Sequence, residues 1–171
     1  MIAAILLDTE ARSSTLDLDP YHGQLREPIL KVLHMMKSME FSPKNDLEIF
    51  MEEMQRRIGQ MAFEQPSVFS FFLPEFAPAG AIEDAGLVAP ESQVATRPNV
   101  IGYLNGLHSL IENGLTHCRD GFGGYYSGQG CDRNELKNDA IGAFKFVPAD
   151  PSHPEKTVDE LSLLLTAGRL S

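Results

Sequence analysis

Two glutamates, Glu64 and Glu75, lie within the proline- and phenylalanine-rich stretch FEQPSVFSFFLPEFAPAG, residues 63–80. Two carboxylates that flank one glycosidic bond can act as acid and nucleophile, which is the chemistry of glycoside hydrolysis. A separation of eleven residues across a proline-containing bend is compatible with such a pair. Spacing alone does not bring the two groups together, so the pair is a weak catalytic hypothesis.

A histidine gives a second, equally weak catalytic hypothesis. His22 lies in DPYHGQLREP (19–28), close in sequence to Asp17 and Asp19. An imidazole in such surroundings can act as a general acid or base, or as a metal ligand. The alternative is structural: Arg26 and Glu27 stand at the entrance of a predicted helix, where capping and an arginine bridge would fix the loop.

The aromatic rings of residues 63–80, a segment called the strap below, allow two interpretations. In the structural one, each phenylalanine is a plug whose burial contributes about 1.5–3 kcal/mol by transfer. In the other, the rings form an extended surface that stacks a sugar or a peptide. The binding residues predicted on this basis are Phe69, Phe72, Phe76, Gln65 and Arg26.

Two cysteines, Cys118 and Cys131, enclose a segment that contains five glycines. A disulfide between them would stabilise the fold by about 3 kcal/mol in the chain-entropy model and needs an oxidising compartment. His117 is the only clear third ligand for zinc, and the nearby carboxylates of residues 120–135 lack the alternation of a calcium loop. The sequence therefore predicts the disulfide, no metal and no other cofactor.

Helices must position these residues, and their ends are marked in the sequence. Pro28 in a first turn begins one helix, whose apolar residues repeat with a period of 3.6. A second helix is predicted over residues 47–58, capped by Asn45 or Asp46, and one short turn over Val68–Phe72, capped by Ser67.

Two further helices complete the prediction. Thr96 caps a long helix that ends at Asn113–Gly114, and Thr157 with Glu160 forms a capping box before the last helix. The apolar positions of the long helix predict its buried face. They are Val100, Ile101, Leu104, Leu107, His108 and Ile111.

The predicted fold is mostly α, a helical, orthogonal bundle-like domain with long Pro/Phe-rich and Gly-rich loops. It forms one domain over residues 1–171. The short apolar start of the chain and its end directly after a helix indicate a fragment of a larger domain.

Charge excludes several classes of partner. The net charge is −10 in 171 residues, with no basic run. Nucleic-acid-binding proteins need clustered lysine and arginine to neutralise phosphates, so a nucleic-acid partner is not expected. No apolar run approaches the roughly 20 residues of a membrane span, and the first residues lack the features of a signal peptide.

Four segments together resemble the C-terminal third of the DUF1800 proteins. They are HGQLREPILKVLHMM, then IGQ with QPSVFSFFLPEFAPAG, then AGLVAPESQ, then VDELSLLLTAGRLS, and their order and approximate spacing agree. The resemblance leaves out residues 116–133, which would then be a Gly-rich insertion loop. It implies a largely helical protein that is often exported and often encoded beside a sulfatase-like companion. It implies no established catalytic residue.

The sequence thus favours a structural or binding domain of an exported protein, with a glycan or protein ligand and without chemistry of its own. The alternative is part of an exported hydrolase-like enzyme that acts on polysaccharide or another polymer. In that case Glu64, Glu75 and His22 are the catalytic candidates. Whether the chain is an enzyme stays open at this point.

Overall fold

The structure is a computed structural model, and it describes residues 1–13, 18, 25–44, 48–124 and 140–168. Two short strands, β1 (Ser42–Pro43) and β2 (Gly142–Ala143), pair antiparallel with Ser42 opposite Ala143. The remaining regular structure is helical, which confirms the mostly α prediction. The helices are α1 (Ile2–Leu6), α2 (Thr9–Arg12), α3 (Pro28–Ser38), α4 (Met54–Ile58), α5 (Ala81–Asp84), α6 (Arg97–Asn113) and α7 (Pro154–Thr166), with a 3₁₀ turn at Pro90–Gln93.

The core lies where α3, α4 and α6 meet the segment that follows α6. Helix α6 packs along α4, while α3 contacts both α4 and α7. The edge-on rings of Phe41 and Phe144, with centroids 5.9 Å apart, join the two strands to this core. Its buried members are Val32, Met54, Ile58, Leu110, Leu115 and Phe122.

The ends of α3 and α6 agree with the sequence predictions. Pro28 occupies the first turn of α3, where its missing N–H leaves no hydrogen bond unmade. Thr96 caps α6 by accepting a hydrogen bond from the Asn99 backbone N–H at 3.4 Å. Gly114 ends α6 with a φ of +73°, a conformation that favours glycine.

Two other helix predictions are wrong. The second helix is limited to Met54–Ile58, and Phe50, placed on its buried side by the periodicity, is exposed. Asn45 and Asp46 lie outside the described residues. No helical turn forms over Val68–Phe72, because Ser70 adopts a φ of +74° and turns the chain back. Ser67 nevertheless acts as an acceptor there, for the Phe69 N–H at 3.1 Å.

The capping-box prediction for α7 is also wrong, because the helix begins four residues earlier. Its N-cap is His153 and Pro154 follows in the first turn. Thr157 is therefore already helical. Glu160 instead accepts a hydrogen bond from the Ala149 backbone N–H at 2.9 Å, so it holds the preceding loop.

The N-terminus of α7 carries a titratable cluster that makes a pH-dependent prediction. Asp150 accepts hydrogen bonds from Lys156 Nζ at 2.7 Å and Ser152 Oγ at 2.6 Å, and His153 Nδ1 lies 2.9 Å away. These partners, Lys156 first, lower the pKa of Asp150 from 3.8 to about 2. Because the folded pKa lies below the unfolded one, ionised Asp150 stabilises the fold above about pH 4 and loses this effect between pH 4 and 2.

We therefore expect Asp150→Asn to lower the melting temperature at pH 6, and the difference from the parent protein to shrink as the pH falls from 4 to 2. Thermal melts followed by circular dichroism at several pH values measure this difference. Asp159→Asn, on an exposed part of the same helix, controls for the introduction of an amide. A difference that stays constant down to pH 2 would contradict the assignment.

The predicted buried face of α6 is wrong except at Leu107, which is half-buried and packs against the core cluster; His108 is exposed. Val100, Ile101, Leu104 and Ile111 are all exposed, and the buried positions are Gly106 and Leu110. A Cβ atom on Gly102 would overlap the Arg57 backbone carbonyl, and one on Gly106 would overlap the ring of Phe122. Helix α6 therefore packs through its glycines, which admit a neighbouring backbone and a ring at close range.

The first half of the Gly-rich segment is part of the core rather than a surface loop. Thr116 and Phe122 are fully buried, and residues 121–124 are buried with them. The Asp120 carboxylate accepts hydrogen bonds from three α6 and loop side chains, Ser109 Oγ at 3.1 Å, Asn113 Nδ2 at 3.2 Å and Thr116 Oγ1 at 3.0 Å. Residues 125–139 lie outside the described residues, and the insertion stays a prediction.

A buried glutamine links α3 to α4. Gln60 is fully buried; its Oε1 accepts from the Ile29 backbone N–H at 3.1 Å, and its Nε2 donates to Glu27 Oε2 at 2.7 Å. The side chain thus satisfies one of the unpaired N–H groups at the start of α3 from another part of the chain. Glu27 is held by Gln60 and not by the predicted bridge from Arg26.

Candidate functional site

The C-terminal half of the strap is held by hydrogen bonds to the 3₁₀ turn and the residue before it. The Leu73 backbone N–H donates to Gln93 Oε1 at 2.7 Å, and the Ala89 N–H donates to the Phe76 carbonyl at 2.9 Å. Residues 63–80 form no helix and no extended strand, as their prolines require.

The strap displays apolar side chains at its N-terminal end. Phe63 and Val68 are 97% and 95% exposed, and Phe69 is 56% exposed. The prediction that all five strap rings are buried plugs is therefore wrong for Phe63 and Phe69. Phe71, Phe72 and Phe76 are half-buried, and none of the strap rings belongs to the core cluster.

The reason is that other aromatic residues fill the interior. Phe122 occupies the space above Gly106, and Phe41 with Phe144 packs on the edge of the same cluster. All three come from segments outside the strap. The strap rings are left to cover the surface or to face solvent.

Two residues near the displayed side chains carry backbone strain. Phe63 has a φ of +67° and Ser70 a φ of +74°, in the left-handed region that non-glycine residues rarely adopt. Such conformations cost on the order of 1–3 kcal/mol each and are concentrated at functional sites. Phe63 is also almost fully exposed, so burial of its ring against the described residues does not offset the cost of its strained backbone.

The predicted catalytic residues are not joined by any contact that the structure describes. Glu64, Gln65 and Glu75 are exposed. Within the described ranges, neither glutamate side chain makes a hydrogen bond or an ion pair. His22 lies outside those ranges. The acid–base hypothesis for these residues stays a prediction.

A groove of about 820 Å³ lies between α3, α6 and the C-terminal end of α7. Its walls are mostly aliphatic, with basic side chains along the α3 side. The lining residues are Arg26, Lys31, His34, Met35, Tyr103, Leu107 and 163–167. Of the predicted binding residues, the groove contains Arg26 alone.

The polar groups of the groove have distinct roles. His34 Nε2 lies 2.9 Å from the Leu164 carbonyl oxygen, and because a carbonyl only accepts, this nitrogen carries the proton and ties α3 to α7. Burial raises the pKa of the Tyr103 hydroxyl above its ordinary value. Neither Arg26 nor Lys31 makes an ion pair with a residue that the structure describes.

The polar side chains around Thr116 are joined by hydrogen bonds to Asp120 and to the neighbouring backbone. The three donors to Asp120 occupy its carboxylate, and the Cys118 N–H donates to Thr116 Oγ1 at 3.0 Å. Among the described residues, no group of three or more His, Cys, Asp or Glu side chains is placed to hold a metal ion. Cys131 lies outside those residues, so the Cys118–Cys131 disulfide stays a prediction.

None of the helices in the described part of the chain combines the length and hydrophobicity that crossing a bilayer requires.

Comparisons with protein-family models, with curated proteins and with solved structures find no match to this chain. The resemblance to the DUF1800 proteins is therefore still a prediction from the four sequence segments.

Proposed function

We propose that this chain is a binding domain that contacts another protein through the exposed end of the strap. The observation that carries the proposal is the display of Phe63, Val68 and Phe69 on a strained stretch of backbone. Clusters of exposed apolar side chains on a folded surface are characteristic of protein interaction sites. A phenylalanine that is strained and solvent-facing costs stability, and a binding role explains why that cost is tolerated.

A protein partner fits these side chains better than a glycan. The displayed groups are two benzyl rings and a valine, and none of them can donate or accept a hydrogen bond. Sugar recognition combines ring stacking with directional hydrogen bonds to hydroxyl groups, whereas the centres of protein interfaces are dominated by buried apolar and aromatic anchors. Gln65 and Glu64 lie beside the rings and would form the polar rim.

The resemblance to DUF1800 proteins indicates a cellular location and a first partner for the proposed binding domain. By that resemblance the domain would belong to an exported protein, and a sulfatase-like companion would be the first partner to test. No contact among the described residues favours the hydrolase alternative, so we do not propose catalysis.

The test uses selection of displayed random peptides on the full chain, with a glycan panel in parallel. The probe variant is Phe63→Ser with Phe69→Ser, and the control is Phe50→Ser, which removes an exposed phenylalanine outside the strap. We expect enriched peptides to lose about tenfold or more of their affinity for the double variant and to keep it for the control.

Peptides that bind all three proteins equally would overturn the proposal. Glycan binding that depends on Phe63 and Phe69, without peptide binding, would show instead that this surface binds a carbohydrate.

A further inference from the structure

We infer that the groove between α3, α6 and α7 is a second binding site, independent of the strap, and that it takes a long-chain carboxylate. The occupant would place its alkyl tail along the aliphatic walls and its carboxylate beside Arg26 and Lys31. Nothing in this inference depends on the partner proposed for the strap.

The size and the walls of the groove match a small amphiphile. Its volume, about 820 Å³, lies within the range of roughly 300–1,000 Å³ that is usual for small-molecule sites. Met35 from α3, Leu107 from α6 and Leu163 from α7 give it apolar walls on three sides. Burying an alkyl chain there should raise the affinity about fourfold for each methylene removed from water.

The charge of the rim selects the head group. Arg26 and Lys31 line the groove, and the described residues that line it include no aspartate or glutamate. This is a local excess of positive charge in a chain whose net charge is −10. Neither cation makes an ion pair with a residue that the structure describes, and both add positive charge to the rim of the groove.

The α3 side and the α7 side of the groove differ in charge, and this difference sets the orientation of the bound carboxylate. At the α7 side the helix ends, and its last carbonyl groups present partial negative charge that disfavours an anion. The Leu164 carbonyl is already occupied by His34. The head group therefore belongs at the α3 side, with Lys31. Tyr103, which lines the groove from α6, carries a further hydrogen-bond donor.

Titration of the full chain with dodecanoate, below its micelle concentration, tests the inference. Calorimetry should show saturable binding to the parent protein and much weaker binding of dodecyltrimethylammonium, which has the same tail and the opposite charge. Lys31→Glu should weaken dodecanoate binding about tenfold or more, since it replaces attraction by repulsion at the rim.

Lys37→Glu is the matched control, because it makes the same charge change on the same helix at a residue outside the groove. Arg26→Glu, in exposed chain before α3, provides a second probe if Lys31→Glu does not fold. Equal affinity for the two detergents, an equal effect of the probe and control variants, or no saturable dodecanoate binding would each overturn the inference.

Discussion

Phe122→Ala is expected to lower the free energy of unfolding by about 3–5 kcal/mol, the usual cost of removing a buried aromatic ring. Phe122 is fully buried, and its ring fills the space that Gly106 leaves on α6. A domain of this size is stable by about 5–15 kcal/mol, so the variant is expected to lose a large part of its stability or to unfold. Urea denaturation of the full chain, followed by circular dichroism, measures the loss.

Phe63→Ala is the matched control, because it deletes the same ring from a position that is 97% exposed. Its free energy of unfolding should stay within about 0.5 kcal/mol of the parent value. Phe122→Leu, which keeps most of the apolar volume, should fall between the two. Similar losses for Phe122→Ala and Phe63→Ala would mean that the strap, and not the Gly-rich segment, holds the core together.

Gly102→Ala is the second substitution with a large expected effect. The added methyl group would overlap backbone atoms of Arg57, which cannot rotate out of the way as a flexible side chain could. Overpacking of this kind costs about 1–3 kcal/mol or more, against which alanine regains about 1 kcal/mol of helix propensity. We expect a net loss of about 2 kcal/mol in the free energy of unfolding, measured by the same denaturation experiment.

Asn105→Ala provides the control on an exposed position of the same helix. There the change to alanine should leave stability unchanged or raise it by a few tenths of a kcal/mol. If Gly102→Ala were as stable as Asn105→Ala, α4 could not approach α6 as closely as described.

Sequence signals locate the start of α3 and both ends of α6 better than they locate the packed faces. Pro28, Thr96 and Gly114 act through their own backbone or their nearest neighbours, so local chemistry was sufficient to place them. The buried face of α6 depends instead on Gly102 and Gly106, and a hydrophobic pattern gives no weight to glycine. The apolar stripe of Ile101 and its neighbours was therefore assigned to the core, although it faces solvent.

Prediction of the candidate sites failed for a related reason. The strap is unusual in sequence, but whether its rings are buried depends on which other side chains fill the core. Phe122 was overlooked because it stands in a glycine-rich segment that is typical of loops. In the groove, Arg26 is a predicted binding residue, whereas Lys31, Leu107 and Leu163 converge only when three helices are assembled. Basic residues at Lys31 and His34, spaced three apart on a helix face, were the one available signal.

Gln60 caps the start of α3 from a distant part of the sequence, and so couples that start to the end of α4. Because one amide group joins the start of α3 to the end of α4, the first turn of α3 cannot fray without drawing a polar group out of the interior. Opening either helix terminus therefore breaks the contact that the other one needs. The two termini should open together, as one cooperative unit. Since Arg26 directly precedes this turn, the same linkage limits how far the basic rim of the groove can move.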